Sequence, residues 1–205
     1  MPPNEHDQIL AHMRYLTGTG TLPLILSANG SGVLKWWVDA SFAFQPNMRG
    51  QSGGGISMGR GFPIAGSTKQ KLNSRSSMET EIVGVNNFMP AIYWTKYFLK
   101  AQGYNVQENS LHQDNKSSII FEKNGKASSS KRTKHINIWY FFIANRVAKV
   151  KVSIFWCPTG DMIANYMIKT LQGVMFHRSR DQIMEVVPAQ DPGPGKAKVS
   201  KTKSE

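Results

Sequence analysis

The sequence predicts a mixed α/β fold built around one core, and three observations carry that reading. Short apolar runs of strand length alternate with segments whose apolar residues recur at helical spacing. The strand-like runs cluster early, before one long helical segment, and later strands alternate with helices, as in a mixed sheet covered by helices. The chain has 205 residues, enough for one domain of about 150 residues with extensions and too few for two generous ones.

Taken in order, residues 5–16 place Ile9, Met13 and Leu16 at helical spacing and stop before Gly18 and Gly20. Residues 22–26 read as a strand, Asn29-Gly30-Ser31-Gly32 as a turn, and residues 33–42, rich in Trp and Val, as a second strand. The Gly-rich residues 49–55 read as a flexible turn, followed by a hairpin of residues 56–58 and 62–65 joined through Gly59-Arg60-Gly61. Ser76-Ser77 predicts a helix cap. Ile82, Val85, Met89 and Ile92 then line one face of a long helix that ends at Gly103, with Pro90 expected to kink it. Beyond it the sequence predicts a strand at 110–113, a helix at 115–122, a polar basic loop at 124–132, a helix at 133–148 and a strand at 150–156. Helices are predicted at 161–171 and 174–184. From residue 188 onward, Pro, Gly, Lys and Ser dominate, and a disordered basic tail is expected.

Charge narrows the partner. Lys and Arg number 25 against 13 Asp and Glu, a formal net charge of +12, which makes a polyanion the natural candidate. No apolar run approaches the roughly 20 residues of a membrane-spanning helix, so no membrane partner is expected. The polar N-terminus lacks the blocks of a signal peptide, and secretion is not expected. The lone Cys157 excludes an internal disulfide and suits a reducing compartment.

Two carboxylates stand at strand ends, Asp39 after Trp36-Trp37-Val38 and Asp114 after Leu111-His112-Gln113. Such ends carry ligand sites in open α/β sheets, and acidic groups crowded there need a cation. The surrounding wording is more specific. Trp37-Val38-Asp39-Ala40-Ser41, the run from Ser67 to Asn73, Ser76-Ser77-Met78-Glu79-Thr80-Glu81, Gln113-Asp114-Asn115-Lys116-Ser117, and the run from Arg132 to Ile138 occur in order. Trp156-Cys157-Pro158-Thr159 follows, with Met162-Ile163-Ala164-Asn165 and Lys169. Together they resemble the ribonuclease H domain of copia-type LTR retrotransposon polyproteins.

The resemblance implies a ribonuclease H-like fold, a mixed five-stranded sheet flanked by helices. It places residues 33–172 in that domain, 1–32 in a remnant of the reverse transcriptase connection, 173–187 in a C-terminal helical extension and 188–205 in the tail. It implies metal-dependent endonucleolytic cleavage of the RNA strand in RNA/DNA hybrids, with Asp39, Glu81, Asp114 and Asn165 as catalytic and metal-binding positions. Two Mg²⁺ ions about 4 Å apart, or Mn²⁺, would serve as cofactor. Glu79 is the rival for the second position; Glu81 is preferred because Ile82, next to it, begins the buried stripe. At the fourth position Asn165 stands where the family has Asp, so impaired activity is expected, and Asp161, one helical turn earlier, is the candidate to compensate.

Hybrid contacts are expected from Ser76, Ser77, Asn115, Lys131, Arg132, Lys134 and His135, since hydroxyls, amides and cations suit phosphate and the 2′-hydroxyl. For the serines and Asn115 helix capping is the competing role, and for the basic run a solvated loop is. Partners implied are an RNA/DNA hybrid and the reverse transcriptase domain of the parent polyprotein, in a cytoplasmic retroelement particle or the nucleus. The competing reading is a catalytically inactive nucleic-acid-binding module, or a decayed retroelement remnant, of the same fold.

Overall fold

The computed structural model describes residues 5–124, 143–145, 147, 149 and 152–186. Its elements are α1 (Glu5–Thr19), β1 (Ser27–Ala28), β2 (Val33–Ser41), β3 (Gln51–Ser57), β4 (Gly59–Arg60), β5 (Ile64–Lys69) and α2 (Ser77–Ala101). They continue with β6 (Glu108–Gln113), α3 (Lys116–Asn124), β7 (Ser153–Trp156), α4 (Asn165–Ile168) and α5 (Gly173–Met184).

Strand β2 is the spine. Leu34, Trp36 and Val38 alternate into the main core while Lys35 is exposed and Trp37 half-buried, the period of a strand with two unlike faces. β2 pairs antiparallel with β3 and β3 antiparallel with β5; on its other side β2 pairs parallel with β6 and β6 parallel with β7. The order β5-β3-β2-β6-β7 is a mixed five-stranded sheet flanked by helices, the ribonuclease H-like architecture expected from the motifs. Among the described residues no helix is long and apolar enough to cross a membrane.

Helix α2 covers one face. The expected stripe Ile82, Val85, Met89 and Ile92 is fully buried against Trp36, Val38, Ile56 and Leu111, each such side chain contributing about 1.5–3 kcal/mol by transfer from water. The helix runs unbroken through Pro90, which is exposed, so water can reach the carbonyl that the missing N–H leaves. Its first turns are clamped by a buried amide: Gln70 Nε2 donates to Thr80 O and to Ser52 Oγ, both at 2.9 Å.

Three expectations differ. Residues 49–55 are no turn, since Gln51–Ser57 form β3 at the heart of the sheet; three consecutive glycines carry no hydrophobic period and hide the strand. Residues 22–26 form no strand, and only Ser27–Ala28 pair, with Gly59–Arg60. Residues 161–171 are not one helix: a 3₁₀ turn (Thr159–Asp161) precedes the four-residue α4. The expected loop at 124–132, helix at 133–148 and tail fall largely or wholly outside the described residues.

The glycines of β3 explain how α4 comes near. Gly53 pairs with Asp39, and a Cβ on it would lie 2.5 Å from Ile168 Cγ2 and 2.6 Å from Met167 Cβ. Only a residue without a side chain lets α4 rest on this face. Further along, α5 is tied back to the chain where Phe62 N donates to Ile183 O and Ile25 N to Met184 O, both at 2.9 Å.

Candidate metal centre

Asp39 and Asp114 each lie two residues beyond the registered pair Trp37–His112 of parallel strands β2 and β6. Two residues preserve the side of a strand, so both carboxylates emerge on one side at one sheet edge. Glu81 reaches the same point from the second turn of α2. One oxygen from each of Asp39, Glu81 and Asp114 lies within 4.8 Å of the others. Oxygens on opposite sides of a divalent ion, with bonds of about 2.0–2.5 Å, stand roughly 4–5 Å apart, and hard oxygen donors are what Mg²⁺ prefers. The donor set therefore fits a divalent cation.

The electrostatics show what the cluster costs without one. Burial, together with the Asp39 and Asp114 charges, pushes the Glu81 carboxyl up to about 10, with Glu122 of α3 adding a smaller push. Asp39 is likewise raised, first by burial, against the pull of Lys169. Glu81 hydrogen-bonds Asp39, and both carboxyls are raised, so the pair resists full ionisation. Asp39 Oδ1 accepts from Ala40 N at 2.8 Å, and Asp114 Oδ2 accepts from Thr159 Oγ1 at 3.0 Å, so both acidic groups are held in place. Trp156 Nε1 adds a bond to Asp114 O at 3.2 Å.

Asn165, the fourth residue of the expected set, is at the first position of α4 and nearly buried. Its Nδ2 donates to Thr159 O at 3.0 Å, and its Oδ1 accepts from Lys169 Nζ. The same ammonium lies 3.4 Å from Asp39 Oδ2. Lys169 is thus part of the cluster, a role the motif reading missed although i, i+4 spacing from Asn165 was its signal. Thr159 and Gly53 were missed too: the first lies in the closing motif without a predicted partner, and a glycine gives no chemical signal at all.

The rival carboxylate does other work. Glu79 Oε2 accepts from Arg75 N at 2.6 Å, just before the N-cap, and Glu79 N donates to the N-cap Ser76 Oγ at 3.2 Å, so Glu79 fastens the start of α2. Asp161 is exposed, paired with Arg178 at 3.2 Å, and is not one of the three carboxylates that converge. Of the expected hybrid contacts, Ser76 is the N-cap of α2, Ser77 is exposed in its first turn, and Asn115 Oδ1 accepts from Ser118 N at 3.1 Å at the start of α3. Lys131, Arg132, Lys134 and His135 lie outside the described residues.

No family model matches the chain. It is 26% identical over 184 residues to the retrovirus-related Pol polyprotein from transposon TNT 1-94 of Nicotiana tabacum, and 30% identical over 186 residues to that from transposon RE1 of Arabidopsis thaliana. The chain is homologous to retrotransposon Pol polyproteins. Each alignment covers 89% of this chain but only 14% and 13% of those relatives, so the chain spans about one seventh of their length. The strand order and senses are those of the ribonuclease H-like fold expected from the motifs. Overlays on solved ribonucleases are loose. One isolated from compost gives a TM-score of 0.48 at 10% identity over 67% of this chain and 93% of its own. One from Halobacterium salinarum NRC-1 gives 0.46 at 12% identity over 66% and 94%. The compost ribonuclease is also solved in complex with an RNA/DNA hybrid.

Proposed function

We propose that this domain cleaves the RNA strand of RNA/DNA hybrids as a divalent-cation-dependent endonuclease, at a rate reduced by Asn165. The carrying observation is the trio Asp39, Glu81 and Asp114, converging within 4.8 Å at one sheet edge of a Pol homologue. A divalent cation, Mg²⁺ or Mn²⁺, would be held by these three side chains, and when bound supplies an activated water and charge neutralisation at the scissile phosphate. A second ion would fall to Asp39 and Asn165, one charge short of the carboxylate pair in the motif. The chain's own residues orient and exchange protons. Ala40 N and Thr159 Oγ1 fix Asp39 and Asp114, and Glu81, held protonated by burial and its acidic neighbours, would have to release its proton to water to serve as a ligand. Ser77, Asn115 and the basic residues Lys131, Arg132, Lys134 and His135 are proposed to grip phosphates and 2′-hydroxyls of the hybrid, with Ser76 holding the helix that carries Glu81.

We place this domain at residues 33–172, as part of a longer polyprotein acting beside its reverse transcriptase in a cytoplasmic retroelement particle. The test is cleavage of an end-labelled RNA/DNA hybrid over a Mg²⁺ titration, with Asp39→Asn as control. Mg²⁺-dependent cutting that disappears in the control supports the reading. Hybrid binding without cutting at any Mg²⁺ concentration replaces it by the binding-module reading, which the neutral Asn165 favours.

A further inference from the structure

The fourth corner of the cluster is organised. Asn165 donates its amide to Thr159 O, which a carboxylate cannot do, and this turns its oxygen toward Lys169. The Lys169 ammonium, between that oxygen and Asp39 Oδ2 at 3.4 Å, stands where Asp39 and Asn165 would otherwise share a second ion. Gly53 lets α4 lie close enough for this. A second divalent ion in the corner would meet a cation a few ångströms away, with Asp39 as its one anionic ligand; the ammonium is 44% exposed, so water screens part of that repulsion. Lysine and asparagine complement each other: the amide satisfies Thr159, and the ammonium supplies the positive charge.

We infer that the Lys169 ammonium takes the place of the second cation, so that this centre holds one divalent ion. The inference rests on the metal-centre reading above and concerns its stoichiometry. Lys169 is a positioning residue, acting through Asp39.

The test counts Mn²⁺ bound to the full chain by isothermal titration calorimetry, after cooperative melting has shown that each variant folds. Wild type should bind one ion. Lys169→Arg should also bind one, within about twofold of the same affinity, because the charge stays. Lys169→Met should bind the first ion roughly tenfold more tightly, through loss of a repelling charge, and N165D/K169M should bind two. Two ions on wild type, or an unchanged affinity in Lys169→Met, overturns the inference and leaves the nuclease reading standing. No Mn²⁺ on wild type overturns both. Should N165D/K169M fail to melt cooperatively, the wild-type count and the affinity ratio of the single variants decide alone.

Discussion

Asp39 lies in the longest strand and Glu81 in the longest helix among the described residues, with Asp114 just past β6, whereas Asn165 and Lys169 sit at the two ends of a helix of four residues. The first group is a crowded set of acidic side chains whose ionisation burial and mutual repulsion oppose, and a bound cation would relieve that opposition. The second brings its own positive charge and has its hydrogen bonds satisfied within the chain. One half of the centre is therefore poised for an ion, while the other is already complete. A missing carboxylate can thus mean a differently balanced corner as well as a damaged one.

The largest test strikes the demanding half. Asp39→Asn should lower hybrid cleavage about a thousandfold, the loss of several kcal/mol of charge stabilisation, in a protein that still melts cooperatively. Retained activity within tenfold would erase the distinction between the halves. On the complete half, Asn165→Asp alone should gain a few-fold in cleavage because Lys169 remains, and N165D/K169M roughly tenfold. If Asn165→Asp alone reaches the full gain, Lys169 is not the obstacle.

Glu81 gives a pH signature in chelator, without activity. Its folded carboxyl titrates far above the ordinary value of 4.5, at about 10, so its contribution is fully present below about pH 4.5 and is lost as pH rises toward 10. The melting temperature of ion-free protein should fall across that window. Glu81→Gln should flatten the fall, with roughly 2–4 °C regained per kcal/mol relieved. An equal pH slope in the variant would mean that another group carries the strain. The smallest effect concerns Ser76→Ala, which should cost about 1 kcal/mol in stability through the lost cap and leave the KM for hybrid unchanged. A raised KM would instead place Ser76 on the substrate.

The two halves also differed in how readable they were. Asp39 lies in β2, whose apolar alternation is plain in the sequence, and the α2 stripe orients Glu81; local periodicity sufficed for β2 and the long helix, while β6 before Asp114 offers a single leucine. Residues 161–171 read as one helix in the sequence, yet the chain breaks into a turn and a four-residue helix held by packing on the sheet, β3 above all. Gly53-Gly54-Gly55 misled for the complementary reason. A strand whose purpose is to let neighbours approach presents no side chains from which to read it.

Gly53 makes the geometry of the fourth corner hostage to one hydrogen atom. A methyl group there would prop up Ile168 and Met167 and lift the lysine off its aspartate, with every charged and amide side chain still in the sequence. In a mutational scan such a position would score like a scaffold defect, although its effect is on the balance of charge around the ion.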